Sequence, residues 1–313
     1  MDFASEDLES ESLSRITTHA RAMNPASTRP ARRPAMSAAG LSPSHPVQVL
    51  DEFGTPRDVH VAGERPLTLY VDKREIVTLM TLGSAPELLA LGYLRNQGFV
   101  KTIGSILSVQ VDWKSDSVAV TASSGVDNWE GKLAHRTVTT GCEGTVFGSL
   151  MEKLDEIRLP PVVLRQTEIY HTLQRVNEYN EVYRRAGAVH GCTLCRGDDI
   201  EIFVEDVGRH NAADAISGHM WLEGLPGGGR IFYTTGRLTS EMVIKVAMMG
   251  IPILVSRSGV TWQGIDLARR MGVTLIARAK GRHFLVYHSA RHALFDAIPQ
   301  ARPGHRAEAN DGD

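Results

Sequence analysis

Arg230-Ile-Phe-Tyr-Thr-Thr235, Ser240-Glu-Met-Val-Ile-Lys-Val-Ala-Met-Met249 and Ile251-Pro-Ile-Leu-Val-Ser256 follow one another closely along the chain. The first and third are short strand-type runs bounded by turn residues, and the second is a helical stretch. Strand, helix, strand is the unit of a parallel sheet with a crossover helix. The same alternation continues outward. Downstream lie a helix over Gln263–Met271 and strands over Val273–Arg278 and His283–Tyr287. Upstream lie a buried strand over Ile200–Glu205, a helix over Ala212–Trp221 and a long helical stretch over Thr167–Arg185. Strands alternating with helices predict an α/β fold with a largely parallel sheet covered on both faces. Ligands on such sheets bind beyond the carboxyl ends of the strands. The positions to inspect are therefore Asp206, Gly236-Arg237, Ser256-Arg257-Ser258 and Arg278 to Arg282.

The part before residue 159 has another character. Arg57–Ala62, Leu67–Val71 and Glu75–Leu79 are β-favouring runs bounded by Gly or Pro. Ser84 is placed to cap a helix, with Pro86 in its first turn and Glu87 completing Ser-x-x-Glu. Gly98 ends that helix. Ile106–Trp113 and Ser117–Ala122 read as a hairpin around Ser115-Asp116, and Gly141-Cys142-Glu143-Gly144-Thr145 as a loop. The folded body is read from about Val47 to Ile298. Ahead of it an acidic run is followed by an arginine- and proline-bearing one without an apolar segment, so a disordered tail is expected rather than a leader. Met36 is an alternative start.

The chain has 313 residues, 42% hydrophobic and 22% charged, with a net charge of −2. That length suits about two domains and a sizeable core. The near-zero charge argues against nucleic acid or an anionic membrane surface as partner. No apolar run approaches the roughly 18 residues of a membrane span. Three cysteines, an odd and small number, argue against a secreted disulfide scaffold. A soluble intracellular protein is expected.

Cys192-Thr-Leu-Cys195 is a C-x-x-C preceded by His190, three potential zinc ligands within six residues. A zinc deaminase is not expected, because the catalytic Glu of a His-x-Glu motif is replaced by Cys192. A thioredoxin-type pair would open a helix, whereas this stretch reads as a β-turn between Val189 and Ile200. Two small apolar thiols near a strand end explain the motif equally well. Cys142 differs, because its neighbours are glycines and polar residues. A flexible exposed loop suits a thiol that must reach another protein.

Four stretches are distinctive together: Gly187-Ala-Val-His190, Glu205-Asp-Val-Gly-Arg-His-Asn-Ala212, Gly236-Arg-Leu-Thr-Ser-Glu-Met-Val-Ile-Lys245 and Gly250–Ser256. In this order they resemble the FdhD family of formate dehydrogenase accessory sulfurtransferases, over about Leu67 to Tyr287. The resemblance implies a cytoplasmic sulfurtransferase, tending to a homodimer. It would take persulfide sulfur from a cysteine desulfurase and pass it to molybdenum cofactor in its bis(guanine dinucleotide) form, activating formate dehydrogenase. It implies a cytidine-deaminase-like three-layer α/β/α domain over 160–298 and a smaller β-rich domain over 46–137. Between them lie a persulfide-carrying loop and connector over 138–159, with disordered tails over 1–45 and 299–313. Cys142 matches the persulfide carrier of a Thr-x-Cys-x-x-Cys loop, and Thr145 stands where the second cysteine is expected. Cys192 and Cys195 are departures from most relatives and are expected to support Cys142 as substitutes for that thiol. The cofactor-contact segment matches Ala277-Arg278-Ala279-Lys280-Gly281-Arg282. A guanine nucleotide such as GDP would mimic the ligand, and no metal of the chain's own is implied.

The residue chemistry fits this expectation. Arg278, Lys280 and Arg282 flank Gly281, and can pair with phosphate while glycine lets the backbone approach. A solvated basic turn is the plainer reading. Arg237 and Ser240 stand where a strand passes into a helix N-terminus, a natural anion site, although Thr239 or Ser240 with Glu241 also fits a capping box. Asp206, Arg209, His210 and Asn211 likewise follow a strand and open a helix, as ligand contacts or as capping and core-bonding groups. Two rivals remain open: a cofactor-binding chaperone that moves no sulfur, and a zinc protein using His190, Cys192 and Cys195.

Overall fold

The computed structural model describes residues 33–123, 136–138, 144–146, 157–160, 162–197, 199–288 and 293–299. The first unit holds β1 (Ala35–Met36), β2 (Ser44–Leu50), β3 (Pro56–Ala62), β4 (Arg65–Val71), β5 (Arg74–Thr81), α1 (Pro86–Asn96), β6 (Ile106–Asp112) and β7 (Ser117–Ala122). Five of these strands form one sheet in the order β1-β6-β7-β4-β5, and β2 and β3 form a separate ribbon. Leu67, Leu69 and Val71 alternate into the core along β4, as period-two patterning requires. They pack with Val109, Val118, Leu89 and Leu94 beneath α1.

Two local expectations are corrected. The N-cap of α1 is Ala85, without a side-chain cap, not Ser84. Glu87 does not close a capping box. Its carboxylate instead accepts from the Ser37 hydroxyl (2.7 Å) and the Ala39 N–H (2.9 Å). Those partners belong to a stretch expected as tail. Ordered structure therefore begins earlier than the sequence suggests, with β1 paired to β6 and the Trp113 indole donating to the Ala39 carbonyl.

The second unit contains β10 (Leu164–Arg165), α2 (Gln166–Tyr179), α3 (Glu181–Ala186), β11 (His190–Arg196), β12 (Asp199–Asp206), α4 (Arg209–Leu222), β13 (Ile231–Thr234), α5 (Ser240–Met248), β14 (Ile253–Ser256), α6 (Trp262–Met271), β15 (Thr274–Lys280), β16 (His283–His288) and β17 (Ala293–Leu294). Between the units, β8 (Arg136–Val138) and β9 (Gly144–Val146) pair antiparallel. The large sheet runs β12-β11-β13-β14-β15-β16. Only the pairings of β13 with β14 and β14 with β15 are parallel. The remaining three are antiparallel, so the expectation of a largely parallel sheet holds only for its centre.

The sheet is covered on both faces. Cys192, Leu194, Phe232, Leu254 and Leu275 pack under α4, α5 and α6. Cys195, Ile231, Tyr233, Val255 and Ile276 pack against Ile169, Leu173 and Val176 of α2. The expected α/β/α layers are thus present, with the smaller β-rich unit ahead of them. The stretch read as one helix over Thr167–Arg185 is two, broken at Asn180. A physical cause is at hand: the Glu205 carboxylate accepts from the Val182 and Tyr183 N–H groups, both at 2.9 Å, and so starts α3 afresh.

The units meet through α1 and α4. A Cβ on Gly92 would lie 1.6 Å from the Asp214 carbonyl oxygen, and one on Gly218 2.0 Å from that of Leu88. Only hydrogen fits at either crossing point. No described helix is long and apolar enough to cross a membrane.

Candidate functional site: an arginine-bearing rim at the strand ends

β11 runs antiparallel to both its neighbours, so its first residues share an edge with the last residues of β12 and β13. His190 pairs with Asp206, and Cys192 with Thr234. Hydroxyl groups lace this edge together. The Thr235 hydroxyl accepts from the Gly191 N–H (3.1 Å) and lies 3.3 Å from His190 Nδ1. The Gly236 N–H donates to the Thr234 hydroxyl (3.1 Å), and the Ser258 N–H to the Ser256 hydroxyl (2.9 Å). The Ser256 hydroxyl donates to the Gly236 carbonyl, and the Arg278 N–H to that of Ser258 (2.8 Å). Three successive strand ends are fixed relative to one another before any ligand arrives, which lowers the ordering cost of binding.

Arginines crown this frame. Arg237, Arg257 and Arg278 follow or end β13, β14 and β15 and are exposed. Among the described residues no carboxylate pairs with any of the three. Arg209 is buried, and its side chain crosses Gly236 so closely that a Cβ there would lie 2.5 Å from Arg209 Cδ. The N-termini of α4 and α5 open at this rim, and neither N-cap residue, Gly208 or Thr239, makes a side-chain cap. Helix N-termini and guanidinium groups together favour an anion.

The expected contact segment divides by burial. Ala277 and Ala279 are buried in the cores of opposite faces, so their side chains cannot face a ligand. Arg278, Lys280, Gly281 and Arg282 are exposed at the β15–β16 turn. Arg278 bulges out of the strand with φ of 55°, and Arg282 lies 5.0 Å from the Tyr170 ring. Ser240 opens α5 and is buried. His210 is buried with Nδ1 3.3 Å from Glu241 Oε2, and its Nε2 has no hydrogen-bond partner among the described residues. Burial, then the charges of Lys245 and Arg209, hold its pKa well below 6.5, so the ring is neutral. Burial and the charges of Arg209 and Arg237 also lower that of His190. Asn211 turns away from the rim. Its amide donates to the Met80 carbonyl (2.7 Å) and to Asp206 (3.0 Å). Asp206 in turn accepts from the Thr81 hydroxyl and the Leu82 N–H. Both residues therefore tie β5 to the rim, which is the core-bonding alternative.

Beside the rim, on the α3 side, lies a pocket of about 350 Å³ bordered by Tyr183, His190, Gly191, Thr235, Arg257 and Ser258. Arg257 and Ser258 were readable as residues after a strand end. Tyr183 carried no such signal, because α3 reaches the rim only through the break at Asn180.

The sequence matches the FdhD/NarQ family over residues 62–294, which includes the whole rim and Cys142. It is 32% identical to the sulfur carrier protein FdhD of Wolinella succinogenes over 251 residues, 78% of this chain and 87% of that one. It is 28% identical to the sulfur carrier protein FdhD of Listeria innocua, over 75% and 93% of the two chains. A crystal structure described as that of a candidate formate dehydrogenase accessory protein, from Desulfotalea psychrophila, superposes with a TM-score of 0.66 at 30% identity, covering 80% of this chain and 98% of that one. The chain belongs to the FdhD/NarQ family.

The carrier thiol expected of an FdhD/NarQ chain, Cys142, is one of the five residues joining β8 to β9 and lies outside the described residues. Thr145, at the position expected for the second cysteine, pairs with Thr137 in that ribbon. The other two thiols are settled. Cys192-Thr-Leu-Cys195 is not a turn but the middle of β11, with its cysteines on opposite faces of the sheet. Both are buried, which pushes their pKa values up to about 12 and about 11. The zinc reading fails on this geometry, because His190 and the two sulfurs do not converge, and no three-residue metal cluster occurs among the described residues. The expectation that Cys192 or Cys195 assists Cys142 fails on the same grounds, since neither supplies a reachable thiolate.

Proposed function

We propose that this FdhD/NarQ chain is a cytoplasmic sulfur carrier that serves formate dehydrogenase, with Cys142 as its sulfurtransferase residue. The Cys142 thiolate attacks the terminal sulfur of a cysteine desulfurase persulfide. The donor's S–S bond breaks, the donor leaves as a thiolate, and Cys142 holds the sulfur as a persulfide. The acceptor is molybdenum cofactor in its bis(guanine dinucleotide) form, bound as substrate, and the working unit is a homodimer. The observation that carries the acceptor assignment is the rim. Arg237, Arg257 and Arg278, without acidic partners among the described residues, stand beside two helix N-termini, which suits pyrophosphate. Lys280 and Arg282 at the Gly281 turn extend the same charge, and Ser240 and His210 stand beneath it. A thiolate that attacks the inner sulfur of the Cys142 persulfide forms a disulfide with Cys142, the original S–S bond breaks, and the outer sulfur leaves as hydrosulfide for the acceptor. With Thr145 in the loop and Cys192 and Cys195 buried, that thiolate comes from another molecule.

Incubation with a cysteine desulfurase and cysteine, followed by peptide mass spectrometry, tests the reading. One added sulfur atom is expected on the Cys142 peptide, and Cys142→Ala is expected to abolish formate dehydrogenase activation. Activation that survives Cys142→Ala would favour a cofactor-binding chaperone instead.

A further inference from the structure

We propose that Tyr170 is a positioning residue for the acceptor's phosphates, acting through Arg282, whose guanidinium it holds over its ring. This rests on the acceptor assigned above, and it gives a residue of α2 a part in the work of the basic turn. The contact is direct. Arg282 Cζ lies 5.0 Å from the centre of the Tyr170 ring, within the roughly 6 Å of a cation–π pair. Register explains the meeting. Arg282 and Phe284 stand two residues apart where the chain enters β16, so their side chains share one face. Both engage the same ring, because the Phe284 ring lies 5.8 Å from that of Tyr170, with an interplanar angle of 58°. Among the described residues, neither Arg278 nor Lys280 has a ring placed in this way.

The ring is itself held in place. Tyr170 is buried, and its hydroxyl accepts from the side-chain amide of Gln166 (2.7 Å), one turn earlier in α2. The side-chain carbonyl of Gln166 accepts in turn from the Ala297 N–H (3.2 Å). Asp296 accepts from the Thr167 N–H and hydroxyl, both at 3.0 Å. The segment after β17 is thereby fastened to the start of α2 and fixes the ring from that side. Stacking occupies the flat face of a guanidinium and leaves the N–H groups along its edge open. Those are the groups that pair with phosphate in bidentate fashion. Arg282 is exposed, and among the described residues no carboxylate pairs with it. A side chain that would otherwise lose its rotamer freedom on binding is therefore ordered beforehand.

Calorimetric titration of the full chain with GDP tests the assignment through a double-mutant cycle. Arg282→Ala is expected to weaken binding by about tenfold or more, as for a lost charged hydrogen bond. Tyr170→Met fills the space without a ring and is expected to weaken binding by about three- to tenfold, as the cost of ordering one side chain returns. Tyr170→Phe keeps the ring and is expected to bind like wild type. In the Arg282→Ala background, Tyr170→Met is expected to have no further effect. Thermal melts establish that each variant is folded. Arg282→Lys leaves the core untouched and keeps the charge without the planar face, so it too is expected to bind more weakly. Wild-type affinity in Arg282→Lys or in Tyr170→Met would overturn the inference. So would losses that add in the double variant, because the ring would then act through the fold at large. Tighter binding in Tyr170→Met would overturn it as well, since the ring would be holding Arg282 away from the ligand. GDP binding that ignores Arg282→Ala would overturn the inference and leave the acceptor reading standing. A wild-type chain that loads sulfur on Cys142 without binding GDP would remove the acceptor reading and this inference together.

Discussion

Cys192 and Cys195 stand three residues apart on β11, and an odd separation on a strand sends side chains to opposite faces. The C-x-x-C spacing suggests a metal or redox pair only while its surroundings read as a turn. Once the strand is recognised, the same spacing forbids convergence. The double variant Cys192→Ala with Cys195→Ala is accordingly expected to keep full sulfur transfer in a desulfurase-coupled assay. Its loss of stability should be roughly 1 kcal/mol per site, since each change removes one buried heavy atom. His210 makes a second residue-level case. Its folded pKa lies well below the 6.5 of the free side chain, so the unfolded chain binds the proton first as the medium acidifies. The stability that His210 contributes is complete above about pH 6.5 and is lost as the pH falls from there towards the folded pKa. Glu205 and Asp206 have raised pKa values and act in the opposite sense, so a difference measurement is needed. Denaturant unfolding of wild type and His210→Gln at pH 7.5 and pH 5.5 should show the gap between them narrowing in acid. A gap that stays constant would mean that His210 titrates normally.

The joint between α1 and α4 is decided by two hydrogens, those that replace side chains at Gly92 and Gly218. Alanine is the better helix former by about 1 kcal/mol. Here that gain is outweighed, because the new methyl of Gly218→Ala would sit 2.0 Å from the Leu88 carbonyl oxygen and must push the helices apart. A net loss of about 3 kcal/mol is expected in chemical denaturation, near the upper end for overpacking. A smaller loss would mean that the joint is softer than its spacing implies. The elements also explain what was legible. Strands β12 to β15 and the helices between them were readable because each carries its own apolar run or helical pattern. Strand β11 was not. His190-Gly-Cys-Thr-Leu-Cys-Arg196 has weak local preference for a strand, and it becomes one by pairing on both sides with β12 and β13. The break between α2 and α3 was hidden for a similar reason, since it depends on Glu205, which is distant in sequence.

Across the whole molecule, the α/β class followed from alternation, and the family from four linked motifs. The antiparallel edges of the large sheet did not, because alternation reports which elements occur and not the direction in which flanking strands pair. The rim's arginines were legible as residues after strand ends, whereas its pocket required α3 to be folded against them. The two units share more than a covalent link, since Asp206 and Asn211 bind the end of β5 at the same edge that carries the arginines. The burial of two of the three cysteines in the sheet has a practical side as well. Thiol-reactive dyes and alkylating agents attack thiolates, and Cys192 and Cys195 are enclosed by protein on opposite faces of the same strand. Whatever rapid thiol reactivity the native protein displays is a report from position 142, so the wild-type chain already serves as its own single-cysteine probe.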